Sequence, residues 1–310
     1  MATKRLITSK ELIDKLTIGD YKEIIEFATQ KENNLDVQIR DNYLNIYYRG
    51  GNFLRIKPRS LYFDEFYFHR GVENLRKTQL IEKAKLGDEK AIAKWNHYKE
   101  ERQRILNYLK EEGGIRRFYK EMTNVMDSWE KELNTIGISH DEKNEQQQIS
   151  MNNRGETAYT VIDLEYAVST TSEYKYNGNL EKLVPRFDII AVDKTGQVYV
   201  IELKTGLGSI EGNSGITPHI DCFNHTIGRD TKGDFLNEMD EMLEQKKEFG
   251  LIGKDITIDK SKKPLFIFAF SDKPGEDCYD KFVATCTVKG YTDKIIYDST
   301  CKSGIKLIRH

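Results

Sequence analysis

Neither sign of charge dominates this chain, no apolar run is long enough to cross a membrane, and its four cysteines form no paired motif. Each absence closes off a class of protein. With 48 Lys and Arg against 50 Asp and Glu the formal charge is −2, so no whole-molecule field draws the chain onto nucleic acid. Any site for a polyanion has to be a local basic surface. Mean hydropathy is −0.64, and a membrane-spanning helix needs roughly 18 consecutive apolar residues. The first ten residues carry basic side chains but no apolar core followed by a small-residue cleavage site, so no secretory signal is read and a cytoplasmic location is expected. Cys222, Cys278, Cys286 and Cys301 make no Cys-x-x-Cys pair, and none has a His at zinc-site spacing, which leaves reduced structural thiols as the expectation. There is no Gly-x-x-x-x-Gly-Lys loop, no dinucleotide fingerprint and no Gly-x-Ser-x-Gly elbow; Gly206-Leu-Gly208 is too short and lacks a following helix. No internal repeat or low-complexity linker divides the chain.

What is present is length and patterning. A chain of 310 residues can bury one large core or two ordinary ones. Three textures follow one another: an N-terminal α/β region with a β-meander over 1–71, a charged helical region over 72–137, and a region over 138–310 that carries the chemistry. In the first, Ser9 to Gln30 has the apolar side of a helix, and segments 35–40, 43–48 and 52–57 alternate as strands, with Asp41-Asn42 and Gly50-Gly51 at the turns. Arg49, Arg55, Lys57 and Arg59 interleave there with Tyr47, Tyr48 and Phe53. That mixture holds nucleic-acid strands in many proteins, and it also describes a curved sheet with a solvated basic side. The second region reads as two helices, the first running from about Ala91 to Leu109 and the second from about Ile115 to Leu133, separated by Gly113-Gly114. Phe118, Met122, Val125, Met126 and Trp129 form a packing stripe on the second.

The third region begins with a helix from Asp141 to Ser150, with Ser139 as its cap, then a strand over 157–168. Two strands follow, Pro185 to Asp193 and Gln197 to Lys204, joined by a loop whose Gly196 suits a left-handed position. After a Gly-rich loop from Thr205 to Gly215 come a helix over 234–249 and an apolar strand over 264–270, so the element order is α-β-β-β-α-β. A helix over 277–288 and strands over 294–297 and 305–308 complete it.

The hairpin register carries the functional argument. If Asp193 pairs with Gln197, counting outward brings Asp188 opposite Glu202 with Cβ atoms about 4.5–5.5 Å apart, and Lys204 shares the face of Glu202. Facing carboxylates repel, and a hard divalent cation between them relieves the repulsion. A solvated strand end with an ordinary Glu/Lys pair has the same spacing, and acid-x-Lys recurs at Asp20, Glu173 and Glu244 in a chain that is 32% charged.

Arg186-Phe-Asp188 with Glu202-Leu-Lys204, in that order of elements, resembles the PD-(D/E)xK, or restriction-endonuclease-like, superfamily. Pro185 precedes Arg186 rather than the aspartate, a common looseness of the motif. Segments 162–167, Gly212 to Ile216 with His219, and Ile46 to Gly51 also resemble a little-characterised group of bacterial nuclease-like proteins. The resemblance implies an α/β (α+β) fold: a restriction-endonuclease-like core whose mixed sheet is flanked by helices. It implies that Asp188 and Glu202 bind Mg2+ or Mn2+, that Lys204 orients and helps deprotonate water or steadies charge on phosphorus, and that a phosphodiester is cut; it gives no substrate, and the leading expectation is a nuclease acting on DNA first, in restriction or phage defence. It admits a homodimer. Superfamily members often add a glutamate from the first helix; spacing does not choose between Glu142 and Glu145, and Glu142 fits the group slightly better.

Glu165, two residues after Asp163 in an apolar strand, is a further site candidate: either these acids flank the metal or that face is wet. His219 and His225, in the loop after the third strand, either touch phosphate or are held by local hydrogen bonds. Gln245 is an ordinary helix glutamine or a polar group turned toward substrate. Two other functions compete. A nuclease-like fold can persist as a nucleic-acid or protein binding module without catalysis. A retaining glycosidase also sets two carboxylates about 5 Å apart, but Lys204 beside them on a short hairpin argues against it.

Overall fold

In the computed structural model the residues described are 5–68, 77–135, 141–155, 157–168, 174–176, 179–181, 186–204, 215–271, 284–288, 294–297 and 308–309. The fold is mixed α and β. Its first sheet has four strands in the order β1-β2-β3-β4: β1 (Asp36–Arg40), β2 (Tyr43–Tyr48), β3 (Gly51–Lys57) and β4 (Ser60–Tyr62). All are antiparallel neighbours. Asn42, Arg49 and Gly50 take positive φ at the two expected turns, the left-handed conformation that tight hairpins require.

Alternation gives this sheet two unlike faces. Val37, Ile39, Leu44, Ile46, Leu54 and Ile56 are buried in one core with side chains of the helices around them. Those helices are α1 (Lys10–Thr17), α2 (Lys22–Thr29), α4 (Glu89–Asn107) and α5 (Gly114–Thr135). The single helix expected over 9–30 is thus two. Ile18 and Gly19 both donate to the Asp14 carbonyl, closing α1, and a Cβ on Gly19 would lie 3.0 Å from Lys15 Cα. A short helix, α3 (Lys77–Lys85), packs with α4 around Leu80, Ala91 and Tyr98.

The second sheet has six strands in the order β12-β11-β10-β9-β8-β5. The helix α6 (Asp141–Asn152) leads into β5 (Tyr159–Ala167), β8 (Arg186–Asp193) and β9 (Val198–Lys204), an antiparallel meander. A two-stranded ribbon, β6 (Tyr174–Tyr176) and β7 (Asn179–Glu181), interrupts it. Helices α7 (Ile216–His225) and α8 (Asp234–Glu248) then return the chain to β10 (Leu265–Ser271), parallel to β9. The edge strands are β11 (Lys294–Tyr297), parallel to β10, and β12 (Ile308–Arg309), antiparallel to β11. The expected α-β-β-β-α-β order is present, with α7 added. That helix is concealed in the sequence by Pro218, which lies in its first turn, where the missing N–H breaks no helical hydrogen bond. The expected cap Ser139 and the loop over 205–214 lie outside the described residues.

One face of the second sheet packs on α7 and α8 through Val198, Val200, Ile220, Phe223, Met239 and Leu243. The other face packs Tyr159, Ile189, Tyr199 and Ile201 with Ile149 of α6. Buried polar bonds join the first sheet to the helices α6 and α8. Ser150 Oγ donates to Asp36 Oδ1 at 2.8 Å, Gln38 Nε2 donates to Asp36 Oδ2 at 2.7 Å, and Lys246 Nζ donates to Gln38 Oε1 at 3.1 Å. Asp36 and Gln38 thus present the polar face of the first sheet to α6 and α8.

Candidate active site

The hairpin pairs as its sequence suggests. Asp193 N donates to Gln197 O at 3.0 Å, and the register runs from Val192 opposite Val198 to Ile189 opposite Ile201. Asp188 and Glu202 are the next residues outward. Strict alternation does not continue through them, because Phe187 packs into the core with Ile190 and Val192. Asp188 instead reaches α6 and the neighbouring strand: Gln146 Nε2 donates to its Oδ1 at 3.0 Å, and Leu203 N donates to its Oδ2 at 2.8 Å. Asp188, Glu202 and Lys204 are only 8%, 4% and 2% exposed.

Burial, followed by the charge of Glu202, raises the Asp188 carboxyl well above the ordinary aspartate value; the Leu203 amide and Lys204 oppose the shift, and Glu142 adds to it. Glu142, one helical turn before Gln146 on α6, is raised by burial and then by Glu202, with Lys204 lowering it. Glu142 therefore shares the electrostatic environment of the strand carboxylates. Lys204 Nζ lies 3.4 Å from Glu202 Oε1, and His219 Nε2 lies 2.7 Å from the same oxygen. Glu202 Oε2 is buried and, among the described residues, accepts no hydrogen bond. A buried carboxylate oxygen without a donor is costly, and a cation would satisfy it. Among the described residues no three His, Cys, Asp or Glu side chains form a ready metal-binding group. Asp188 and Glu202 offer only oxygen donors, the kind a hard cation takes, and Glu142 is coupled to both by charge.

The other candidates divide. Asp163 is a scaffold residue: fully buried, it bridges Arg5 Nη1 at 2.7 Å and Arg40 Nη1 at 2.8 Å. The sequence gives no sign of this, because Arg5 and Arg40 lie more than a hundred residues away. Glu165 takes a positive φ of 54° and pairs with Arg186 Nη1 at 2.9 Å, so it faces the mouth of a neighbouring cleft. His219 and His225 are on α7 rather than in a loop. His225 Nδ1 lies 2.8 Å from Asp221 O, one turn back, whereas His219 turns its Nε2 into the site. Gln245 bonds both the N–H and the carbonyl of Ile7 at 2.8 Å, pinning the N-terminal segment to α8.

Gln146 is the site residue that sequence reasoning missed. Its signal was its i+4 spacing from Glu142. The next residue, Gln147, accepts from Gly50 N at 2.7 Å and donates to Tyr47 O at 3.2 Å. A Cβ at Gly50 would lie 2.7 Å from Lys143 Cβ, so the turn before β3 sits directly on the site helix. Cys222 and Cys286 are not joined to each other by a disulfide. Among the described residues no helix is long and apolar enough to cross a membrane. Compared with known proteins, the chain matches no protein-family model, no curated protein and no solved structure.

Proposed function

We propose that the protein is a metal-dependent nuclease of the PD-(D/E)xK type, with a restriction-endonuclease-like core built from α6, β5, β8, β9, α8 and β10, acting on DNA first among nucleic acids. The observation that carries this reading is Glu202 Oε2, a buried oxygen with no donor among the described residues, coupled by charge to the Asp188 carboxyl, which burial holds above its ordinary value. Asp188 and Glu202 would hold Mg2+ or Mn2+, which polarises a phosphoryl oxygen and acidifies bound water. Gln146 and the Leu203 amide fix the Asp188 carboxylate in place. Lys204, one pleat repeat from Glu202, steadies negative charge developing on the phosphate and orients the attacking water. His219 contacts Glu202 at the same Oε1 that Lys204 approaches.

A second reading, a nuclease-like fold kept as a binding module, is favoured by the closure of the site: with Lys204 2% exposed, a phosphodiester reaches it only when the groups covering it move. One experiment separates the two. Purified protein is incubated with labelled single- and double-stranded DNA and RNA in Mg2+, Mn2+ or EDTA, beside Asp188→Ala and Lys204→Ala. The nuclease reading expects cation-dependent cleavage that each substitution lowers by about a hundredfold or more. Binding without cleavage in either cation supports the module, and cleavage that survives both substitutions removes the site.

A further inference from the structure

Beside the carboxylates, between the polar face of the first sheet and the α6 side of the second, lies a cleft of about 300 Å³. Four cations line it: Arg5, Arg40, Lys143 and Arg186. Among the described residues two carboxylates oppose them, Glu165 on Arg186 and Asp163 behind Arg5 and Arg40. A chain with a formal charge of −2 therefore concentrates positive charge in one place. Tyr43 and Tyr47 line the same cleft. The Arg40 guanidinium lies 5.8 Å from the Tyr47 ring centre, and Arg55 lies 4.9 Å from that of Tyr43 and 5.8 Å from that of Tyr62. Rings and guanidinium groups thus alternate out of the cleft along the sheet, the pattern of a stacking platform with an electrostatic track. Gln146 lines the cleft too, and it is the residue that donates to Asp188.

We propose that this cleft binds one nucleotide unit of an unpaired nucleic-acid strand, its phosphate against Lys143 and Arg186 and its base against Tyr43 or Tyr47, next to the phosphodiester presented to Asp188 and Glu202. The volume sits at the small end of ligand sites, roughly 300–1,000 Å³. That size suits one nucleotide, so we place a single strand rather than a base-paired duplex in it. The placement beside a reacting phosphate rests on the nuclease reading; the binding itself does not.

The test is therefore run in EDTA, where no metal chemistry enters. Fluorescence anisotropy follows labelled single strands of about twelve nucleotides, and their duplexes, on wild type, Lys143→Glu, Arg186→Glu, Tyr47→Ala and a control, Lys194→Glu. Lys143 and Arg186 are exposed, so their substitution spares the core, and circular dichroism checks each fold. Lys194 is exposed at the turn of the β8–β9 hairpin, the end of β8 remote from Arg186. The expected result is tighter binding of single strand than of duplex, weakened about tenfold or more by each cleft substitution and less than about twofold by Lys194→Glu. Adenosine monophosphate is added as competitor, and it is expected to displace the strand only at far higher concentration. Cleft variants that bind like wild type, a preference for duplex, or a free nucleotide that competes as well as the strand would overturn the proposal. Strand binding lost in the cleft variants of a protein that cuts nothing would leave the cleft standing and remove the nuclease reading.

Discussion

His219 bridges the backbone of its own helix and the site carboxylate: its Nδ1 lies 2.7 Å from Gly215 O and its Nε2 lies 2.7 Å from Glu202 Oε1. A carbonyl only accepts, so Nδ1 carries a hydrogen. The Nε2 contact then needs a second one, held either on the ring or on the carboxyl. A proton thus sits where a cation would compete for Glu202.

Cation binding is accordingly expected to release that proton, together with any that the Asp188 carboxyl still holds, because carboxylate ligands bind metal in the deprotonated form. Mn2+ titration calorimetry in two buffers of different ionisation enthalpy measures the release. His219→Gln, which can donate to Glu202 without an extra proton, is expected to reduce it. An unchanged release in His219→Gln would place the proton elsewhere.

Asp188 gives a stability prediction. Its carboxyl holds a proton to higher pH in the folded chain than in the unfolded one, because burial and Glu202 disfavour the charge. From about pH 4 upward, until the folded value is passed, the folded state binds more protons, so this group makes stability fall as pH rises. Asp188→Asn is expected to stabilise the metal-free protein at neutral pH by about 1–3 kcal/mol and to flatten that fall, as measured by urea unfolding across pH.

Asp163 should behave in the opposite way. Asp163→Ala leaves Arg5 and Arg40 as buried or nearly buried cations without their shared anion, and a loss of about 3–5 kcal/mol is expected. Urea unfolding reads it, and a loss under about 1 kcal/mol would show that the triad is not structural.

Lys246 makes the clearest pH signature. It is fully buried, and desolvation lowers its pKa from 10.5 to about 8, opposed by Asp36 and Asp163. Below pH 8 both states are charged and the burial penalty is complete. Between about 8 and 10.5 the unfolded chain keeps the proton that the folded one has released, so this group makes stability rise with pH, by about 3 kcal/mol in all. Lys246→Met is expected to remove the rise.

Local patterning made the strands legible. Alternation placed β1 to β3, and Gly196 with the apolar arms placed the β8–β9 hairpin and its register. What stayed hidden depends on distant chain. The Arg5–Asp163–Arg40 triad and the Gln38–Lys246 bond join residues more than a hundred positions apart, and no spacing rule connects them. Nor does hairpin counting foresee that Asp188 turns to Gln146, since the break in alternation at Phe187 comes from its packing against Phe223 and Phe266, with ring centres 6.5 and 6.1 Å apart. His219 was obscured by Pro218, which disguised the first turn of a helix as loop.

Titration of the purified protein with Mn2+, followed by calorimetry on wild type, Asp188→Ala and Glu202→Ala, tests the metal claim most directly. Saturable binding in wild type that both substitutions abolish is the expected result. No binding in wild type, or binding that survives both, would contradict a cation held between Asp188 and Glu202.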